Sequence, residues 1–556
     1  MLKRIGVTCV AVLMAASVAF GVTACNRDDG EEAVNPDMIQ LYVSNYDGGF
    51  GTQWLYDAAD AFEEEYADHT FENGKTGVQI FIDPNRDKGY MLNFNTSPNE
   101  IFFTEEVSYY DNVRNGDFLD ISDVVQEVCE QEGVSLKKTH EEGLLYNGKY
   151  YALPHYETFA GLVYDKDLFN DERLYIAEDG SYTNASGNLS AGPDGVKPSY
   201  DDGLPATMEE FFDLCEYMKT VKTITPVTLT GEHAPKYSAN FVSSAAAAYD
   251  GKTITEARYT FAAEDVEYIV DNSVKADDSS VLGYTYETET ADNITNANGY
   301  LLQRTPGKLY GLAFLEKLYE GGYFDTESLK GTTSHLASQE NFVNSKFKNA
   351  PIAMLMDGNW WENEATNNGT FTRSEQLYLD QAKKENRHFG IMPIPAKIDE
   401  NDTNTHGASG TALDIYSAYG FIKAKIDPEK IDAAKAFLKF CYSAENLEEF
   451  TETTGTARAM IYKVSDATLQ NMTTFSQDVW SMHDSGNVVS QISANKLYYE
   501  NMSDFNYLNL LAYGDYTYPW TALTDENGGL TAAQYFVGCW NWTENTWKED
   551  YSAYIS

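Results

Sequence analysis

A chain of 556 residues is far longer than one hydrophobic core serves, so at least two lobes are expected. Asp and Glu outnumber Lys and Arg by 86 to 39, giving a formal charge of −47, and so acidic a surface repels phosphate backbones and excludes nucleic acid as the expected partner. The six cysteines form no Cys-x-x-Cys pair and the eight histidines no His-x-x-x-His pair, so neither a metal centre nor any other cofactor is expected.

Lys3 and Arg4 precede an uncharged run from Ile5 to Phe20, which ends in Val22-Thr23-Ala24-Cys25. A basic start, a short apolar run and small residues read as a cleaved secretory signal over residues 1–24. The small residues before Cys25 look like the lipobox of bacterial lipoproteins. That resemblance implies a diacylglycerol on the Cys25 sulfur and a mature chain held on the extracellular face of the cell membrane by its acyl chains. Residues 25–37 then comprise the lipidated Cys and a polar, flexible tether. No later segment is long and apolar enough to span a bilayer.

The segment IQLYVSN reads as a strand, followed by a loop holding Gly48, Gly49 and Gly51 and a helix whose apolar face is Trp54, Leu55, Ala58, Ala59 and Phe62. GVQIFID and EIFFTE are further strands, and VSYYDNVRNGDFLDI is read as the helix after them. KYYALPHYETFAGLVYD alternates like a strand, but Pro154 breaks it and places part of it at an edge or crossing. Residues 170–205 turn to Gly, Asp, Ser, Asn and Pro, a long loop or hairpin insertion. Asp179, Asp194, Asp201 and Asp202 there lack EF-hand spacing and read as a solvated loop rather than a Ca²⁺ site. Thr207 with Glu210 fits a capping box for the helix that carries Phe211, Leu214 and Cys215. Residues 249–299 are polar and acidic and read as a second insertion. GKLYGLAFLEKLYEGGYF is an amphipathic helix stopped by Gly321-Gly322. PIAMLMDGNWWENEA, HFGIMPIP and AYGFIKAK are strands with their following turns, and DPEKIDAAKAFLKFCYSAENLEEF is helical. The last hundred residues are rich in Tyr and Trp and read as helices with loops. Strands alternating with helices predict an α/β architecture.

Five stretches in order resemble the extracellular solute-binding proteins of carbohydrate ABC importers, a family that includes the maltose-binding protein. They are the lipobox; NGKYYALPHYETFAGLVYDKDLF; LPATMEEFFDLCEYMK; the pair MLMDGNWWENEA and HFGIMPIPA; and AYGFIKAKIDPEKIDAAKAFLKFCYSAENLEEF. The resemblance implies an α/β fold of two lobes joined by a hinge, with an interlobe cleft that closes on its ligand. It implies one lobe from residues 38–155 and 410–455 and the other from 156–409 and 456–556, with 170–205 and 249–299 as insertions. The expected activity is capture of a carbohydrate, preferably an oligosaccharide, for the transmembrane permease subunits of an importer. No catalysis is expected of a monomer acting in this way. A surface glycosidase or an adhesion lipoprotein would share only the anchor.

Sugars present hydroxyls to polar side chains and C–H faces to aromatic rings, and ligands of open α/β sheets lie beyond the carboxyl ends of strands. Polar and aromatic residues at such ends are Asp47, Phe50, Gln53 and Trp54; Glu105 and Glu106; Tyr156 and Glu157; and Asp357, Asn359, Trp360 and Trp361, while Tyr416 and Tyr419 flank a strand before the second crossing and Arg458 lies just after it. The Trp after the MLMDGN turn is the foremost ring candidate by resemblance, followed by Tyr156 with Glu157. Trp54 equally suits core packing, Glu105 and Glu106 equally suit a helix cap, and Arg458 equally suits an ordinary surface charge. Adjacent Trp360 and Trp361 point to different faces, so one belongs to the core and the other to the cleft. Trp540, Trp542 and Trp547 are read as packing residues.

Overall fold

The computed structural model describes residues 34–71, 74–91, 93–404, 406–407, 410–525 and 529–555. The secretory signal and Cys25 lie outside the described residues. Among the described residues no helix is long and apolar enough to cross a membrane.

Two sheets organise the chain. In chain order their strands are β1 (Ile39–Tyr46), β2 (Val78–Asn85), β3 (Ile101–Glu105), β4 (Leu153–Pro154), β5 (Ala160–Asp165), β6 (Thr225–Leu229), β7 (Ile352–Gly358), β8 (Phe389–Met392) and β9 (Ala418–Ile422). The first sheet has the order β2-β1-β3-β9-β4 and the second β8-β5-β7-β6. β1 runs parallel to β2 and β3, while β9 is antiparallel to both β3 and β4. In the second sheet β7 is parallel to β6 and antiparallel to β5. β3, β5, β7 and β9 are buried along their whole length, which explains their unbroken apolar runs. Pro154 sits in the edge strand β4, where its missing N–H costs the ladder nothing.

The helix Gln53–Glu65 buries the five apolar residues of its predicted face against the first sheet and the helix Ala444–Thr454. The predicted helix after β3 is shorter than its pattern, covering Tyr109–Asn115, because Gly116 takes a left-handed conformation and ends it. Thr207 accepts the Glu210 N–H at 3.1 Å, but Glu210 reaches the N–H of Ala206 instead of closing the box on Thr207.

Residues 249–299, read as an insertion, begin inside the helix Ala234–Thr260 and continue into an antiparallel hairpin of Ala263–Ile269 and Thr288–Ile294. The helix escapes an amphipathic reading because it is buried on most sides, packed on Pro306–Glu320. Gly251 bends it with φ +72°, and a side chain there would collide with the His406 carbonyl. Cys129, Cys215, Cys441 and Cys539 carry free thiols; the apolar residues around the first three predict buried helix faces, which holds for Cys215 and Cys441 but not for the half-buried Cys129, and Cys539 is buried as well.

The chain passes between the sheets at residues 155–159 and again between β8 and β9. It returns a third time after Met460–Ile461, which pairs with Ser135–Leu136, because the helix Thr474–Asp484 packs on β8. Buried polar groups tie these crossings together. Asp414 Oδ1 accepts the Thr158 N–H at 3.1 Å and the Thr158 hydroxyl at 2.9 Å. Asn359 donates to the Glu157 carbonyl at 2.9 Å and to the Thr456 hydroxyl at 2.8 Å. The Glu157 carboxylate pairs with Lys137 and lies 2.9 Å from His483 Nδ1. Burial opposes its charge, but Lys137 and His483 outweigh that cost and hold its pKa at about 2. Burial, then the charge of Glu157, pushes the Asp414 pKa up to about 8, only partly offset by Thr158 and Lys137.

Two measurements follow from this packing. Trp361 is fully buried among Phe342, Phe371, Phe389 and Phe475. Trp361→Ala is expected to cost about 3–5 kcal/mol in denaturant unfolding, and a loss below about 1 kcal/mol would refute this packing. Between its unfolded pKa of 3.8 and its folded value of about 8, Asp414 binds more protons in the folded state. Its contribution to stability therefore falls as pH rises across that window, at up to about 1.4 kcal/mol per pH unit. Asp414→Asn, which keeps Oδ1 and carries no charge, should flatten the pH profile of the melting temperature there; an unchanged profile would assign the slope to other groups.

Candidate functional site

The carboxyl ends of β1, β3 and β7 and the first crossing converge between the lobes. The first lobe brings the glycine loop after β1, Lys88 and the end of β3. The second brings Trp360 after β7 and the first turns of the helices Ala234–Thr260 and His335–Ser345. They enclose a cavity of about 260 Å³ lined by Tyr46, Phe50, Lys88, Glu105, Tyr156, His233, Lys236, Tyr237, His335, Trp360, Glu364 and Tyr416. Tyr416 also lines a second chamber of about 460 Å³, with Glu106, Arg114, Gln491, Tyr498, Tyr499 and Tyr507 among its walls. Tyr416 thus lines both spaces, and of the adjacent carboxylates Glu105 lines the first and Glu106 the second.

Aromatic rings form much of the wall. The Phe50 and Tyr156 rings are 4.7 Å apart, and Trp360 lies 5.9 Å from Tyr416 and 6.1 Å from Tyr237. The lobes touch here. A Cβ on Gly49 would stand 2.7 Å from the Trp360 Cβ, so only glycine permits this approach. Asn363 donates to the Phe50 carbonyl at 2.5 Å, and Lys236 lies 3.3 Å from Glu106 across the gap.

Charge is concentrated beside the rings. Lys88 is 2.5 Å from Glu105 and 3.2 Å from Glu106. Burial works against the Lys88 ammonium, but the two carboxylates prevail and raise its pKa. Burial raises that of Glu105, partly offset by Lys88, and its other oxygen accepts the Tyr156 hydroxyl at 2.9 Å. In Glu106 the opposing cost of burial is outweighed by Lys88 and Lys236, and its pKa falls. At the end of β7, burial and then the charge of Glu364 push the Asp357 carboxyl well above the usual range. Asp357 Oδ1 accepts the Gly358 N–H, while its buried Oδ2 has no hydrogen-bond partner among the described residues. These features suit a ligand with many hydroxyls and flat apolar faces.

Of the residues singled out in the sequence, Phe50, Glu105, Tyr156, Trp360 and Tyr416 line the inner cavity, and Glu106 with Tyr416 lines the second chamber. Asp47 instead anchors the glycine loop through the Thr52 hydroxyl at 2.9 Å and Arg86 at 3.1 Å. Gln53 is exposed and bonds Asp57. Trp54, Trp361 and Tyr419 are core residues, while Glu157 and Asn359 serve the hinge. Arg458 is wholly buried rather than a surface charge: its guanidinium sits 3.8 Å from the Phe450 ring and 4.4 Å from that of Trp54, and it bonds His155. Burial lowers its pKa to about 9.

Tyr46, Lys88, His233, Lys236, Tyr237, His335 and Glu364 escape the sequence reading. Lys236 and Tyr237 follow the carboxyl end of β6, a position that marks them once that strand is recognised.

The model of the bacterial extracellular solute-binding protein family matches residues 116–477. The fold is similar to that of a chitin oligosaccharide binding protein, with TM-score 0.50, 17% identity, and coverage of 92% of this chain and 99% of the other. It is also similar to the solute-binding protein RafE in complex with raffinose, with TM-score 0.51, 15% identity, and coverage of 90% and 99%. No curated protein matches the sequence. With its two sheets, its multiply crossed hinge and this match over most of its length, the chain belongs to the bacterial extracellular solute-binding protein family.

Proposed function

We propose that this protein captures an oligosaccharide in the interlobe cleft and delivers it unaltered to the permease subunits of an ABC importer, anchored on the extracellular face of the membrane through lipid on Cys25. The observation that carries the ligand class is the pair of chambers, about 260 and 460 Å³, that share Tyr416 in their walls and are lined by tyrosines and Trp360. One monosaccharide would leave most of that space to water, whereas a chain of several sugars fills it. Trp360, Phe50 and Tyr156 are suited to sugar C–H faces, and Lys88, Glu105, Glu106 and Lys236 to hydroxyls. One of the similar structures is a chitin oligosaccharide binding protein and the other is in complex with raffinose, both ligands oligosaccharides, which supports the same class. Ligand contacts made by both lobes at once favour the closed state, and no catalytic group is required for that. The lipobox before Cys25 supports the anchor.

Calorimetric titration of the purified protein with a panel of mono- and oligosaccharides is expected to give saturable binding to one oligosaccharide family, with monosaccharides weaker. The sugar should be recovered unchanged by chromatography; its cleavage would overturn the transport reading in favour of an enzyme. Trp360→Ala should weaken that binding about tenfold or more, equivalent to about 1.4 kcal/mol, with the circular dichroism spectrum preserved. Unaltered affinity in the variant would remove Trp360 from the site.

A further inference from the structure

Three side chains at the second lobe's lip of the cavity are gathered without serving the cleft's aromatic wall or the hinge. Glu232 and His233 lie in the turn Gly231–His233 that leads into the helix Ala234–Thr260, and His335 opens the helix His335–Ser345. One ligand atom from each lies within 4.8 Å of the other two. His335 Nδ1 is 3.3 Å from Glu232 Oε1, and His233 Nε2 is 3.9 Å from the same oxygen. The two imidazoles face each other at 6.3 Å between ring centroids with 25° between their planes.

The backbone beneath them is held firmly. Glu232 N–H donates to the Thr333 carbonyl at 3.0 Å, which ties the two segments together. The His335 N–H donates to Glu232 Oε1 at 2.8 Å, orienting the carboxylate. Such a hydrogen bond to a ligating carboxylate is the outer support that metal sites use.

From these positions we infer that Glu232, His233 and His335 form a binding site for a divalent transition metal of borderline softness, with Zn²⁺ as the reference ion. Two imidazoles and one carboxylate match such ions and not Ca²⁺ or Mg²⁺, which prefer all-oxygen shells. Ligands about 2.0–2.1 Å from a tetrahedral ion stand about 3.4 Å apart, so the His335–Glu232 separation already fits. The longer separation, 3.9 Å, runs to the half-exposed His233 side chain. Three protein ligands leave the fourth position open. His233 and His335 both line the inner cavity, which puts the proposed ion at its wall. Glu364, in the same wall and held by Gln339 at 2.6 Å, adds a second carboxylate to balance the dication. This inference is independent of which solute the cleft takes.

The test uses purified, chelator-stripped protein carrying no polyhistidine tag, titrated with Zn²⁺ by calorimetry and with Co²⁺ by visible absorption. One equivalent should bind saturably, Co²⁺ should show the intense bands of tetrahedral nitrogen and oxygen coordination, and Zn²⁺ should raise the melting temperature. His233→Ala and His335→Ala should each weaken binding by about 10–100-fold or more, while melting as the wild type does without metal. His388→Ala, which removes an exposed imidazole paired with Asp167 elsewhere on the surface, should bind as the wild type does. Absence of saturable binding, or binding that survives the double substitution His233→Ala/His335→Ala, would overturn the site and leave an ordinary hydrogen bond between His335 and Glu232.

Discussion

The buried carboxylate of Glu157 sets the geometry on which the rest of the molecule depends. Taking such a charge out of water costs several kcal/mol, and it is tolerated only where opposite charges and hydrogen bonds replace the lost hydration. Lys137 supplies the first from one lobe, and His483, on a helix packed against the other, supplies the second. Its backbone is held as well, with the N–H donating to Ala457 and the carbonyl accepting from Asn359. The first and third crossings are therefore referred to one residue, and the second is tied to its neighbour Thr158 through Asp414. Tyr156 and Thr158 flank it and line the cavity, so the ring of Tyr156 is positioned by the same interactions that join the lobes.

The cleft follows a different economy. Lys88, Glu105, Glu106 and Lys236 form a chain of ion pairs that spans the gap between lobes, partly open to water. The pairs made by the half-exposed Glu106 contribute little net stability and are screened by salt. They can thus separate and reform as the lobes move, where the fully enclosed Glu157 cluster cannot. The Gly49–Trp360 contact and the Asn363 hydrogen bond are of the same breakable sort, few and peripheral. Rigid polar contacts lie at the crossings and yielding ones at the mouth, which is the distribution a hinge requires.

Much of this was legible in the sequence, and the failures have a common physical origin. Strands reveal themselves through apolar runs and the residues after them, and that rule located Phe50, Glu105, Tyr156, Trp360 and Tyr416. It equally picked out Glu157, Asn359 and Arg458, because a polar residue beyond a strand looks the same whether a ligand or the protein satisfies it. Adjacent Trp360 and Trp361 divided between cleft and core as alternation demands. Lys236 and Tyr237 went unseen because their helix is buried nearly all round and shows little amphipathic period. Lys88 stands in a four-residue helix too short to leave any pattern.

Hinge and walls are interleaved along the chain, with Tyr156, Trp360 and Tyr416 of the wall inside the span matched by the family model and His483 of the hinge beyond it. Glu157, Asn359, Asp414 and Ala457, which hold the crossings, all fall inside the span matched by the family model, residues 116–477. Tyr46, Phe50, Lys88 and Glu105 precede that span, and Gln491, Tyr498 and Tyr507 in the second chamber follow it. A hinge of buried polar groups tolerates little change, since losing one partner strands another away from water. A cavity wall needs only complementarity to its occupant and is free to change with it. The segment after residue 477 serves both, giving His483 to the hinge and Gln491, Tyr498 and Tyr507 to the second chamber, so fold and cavity are built from the same stretch of chain.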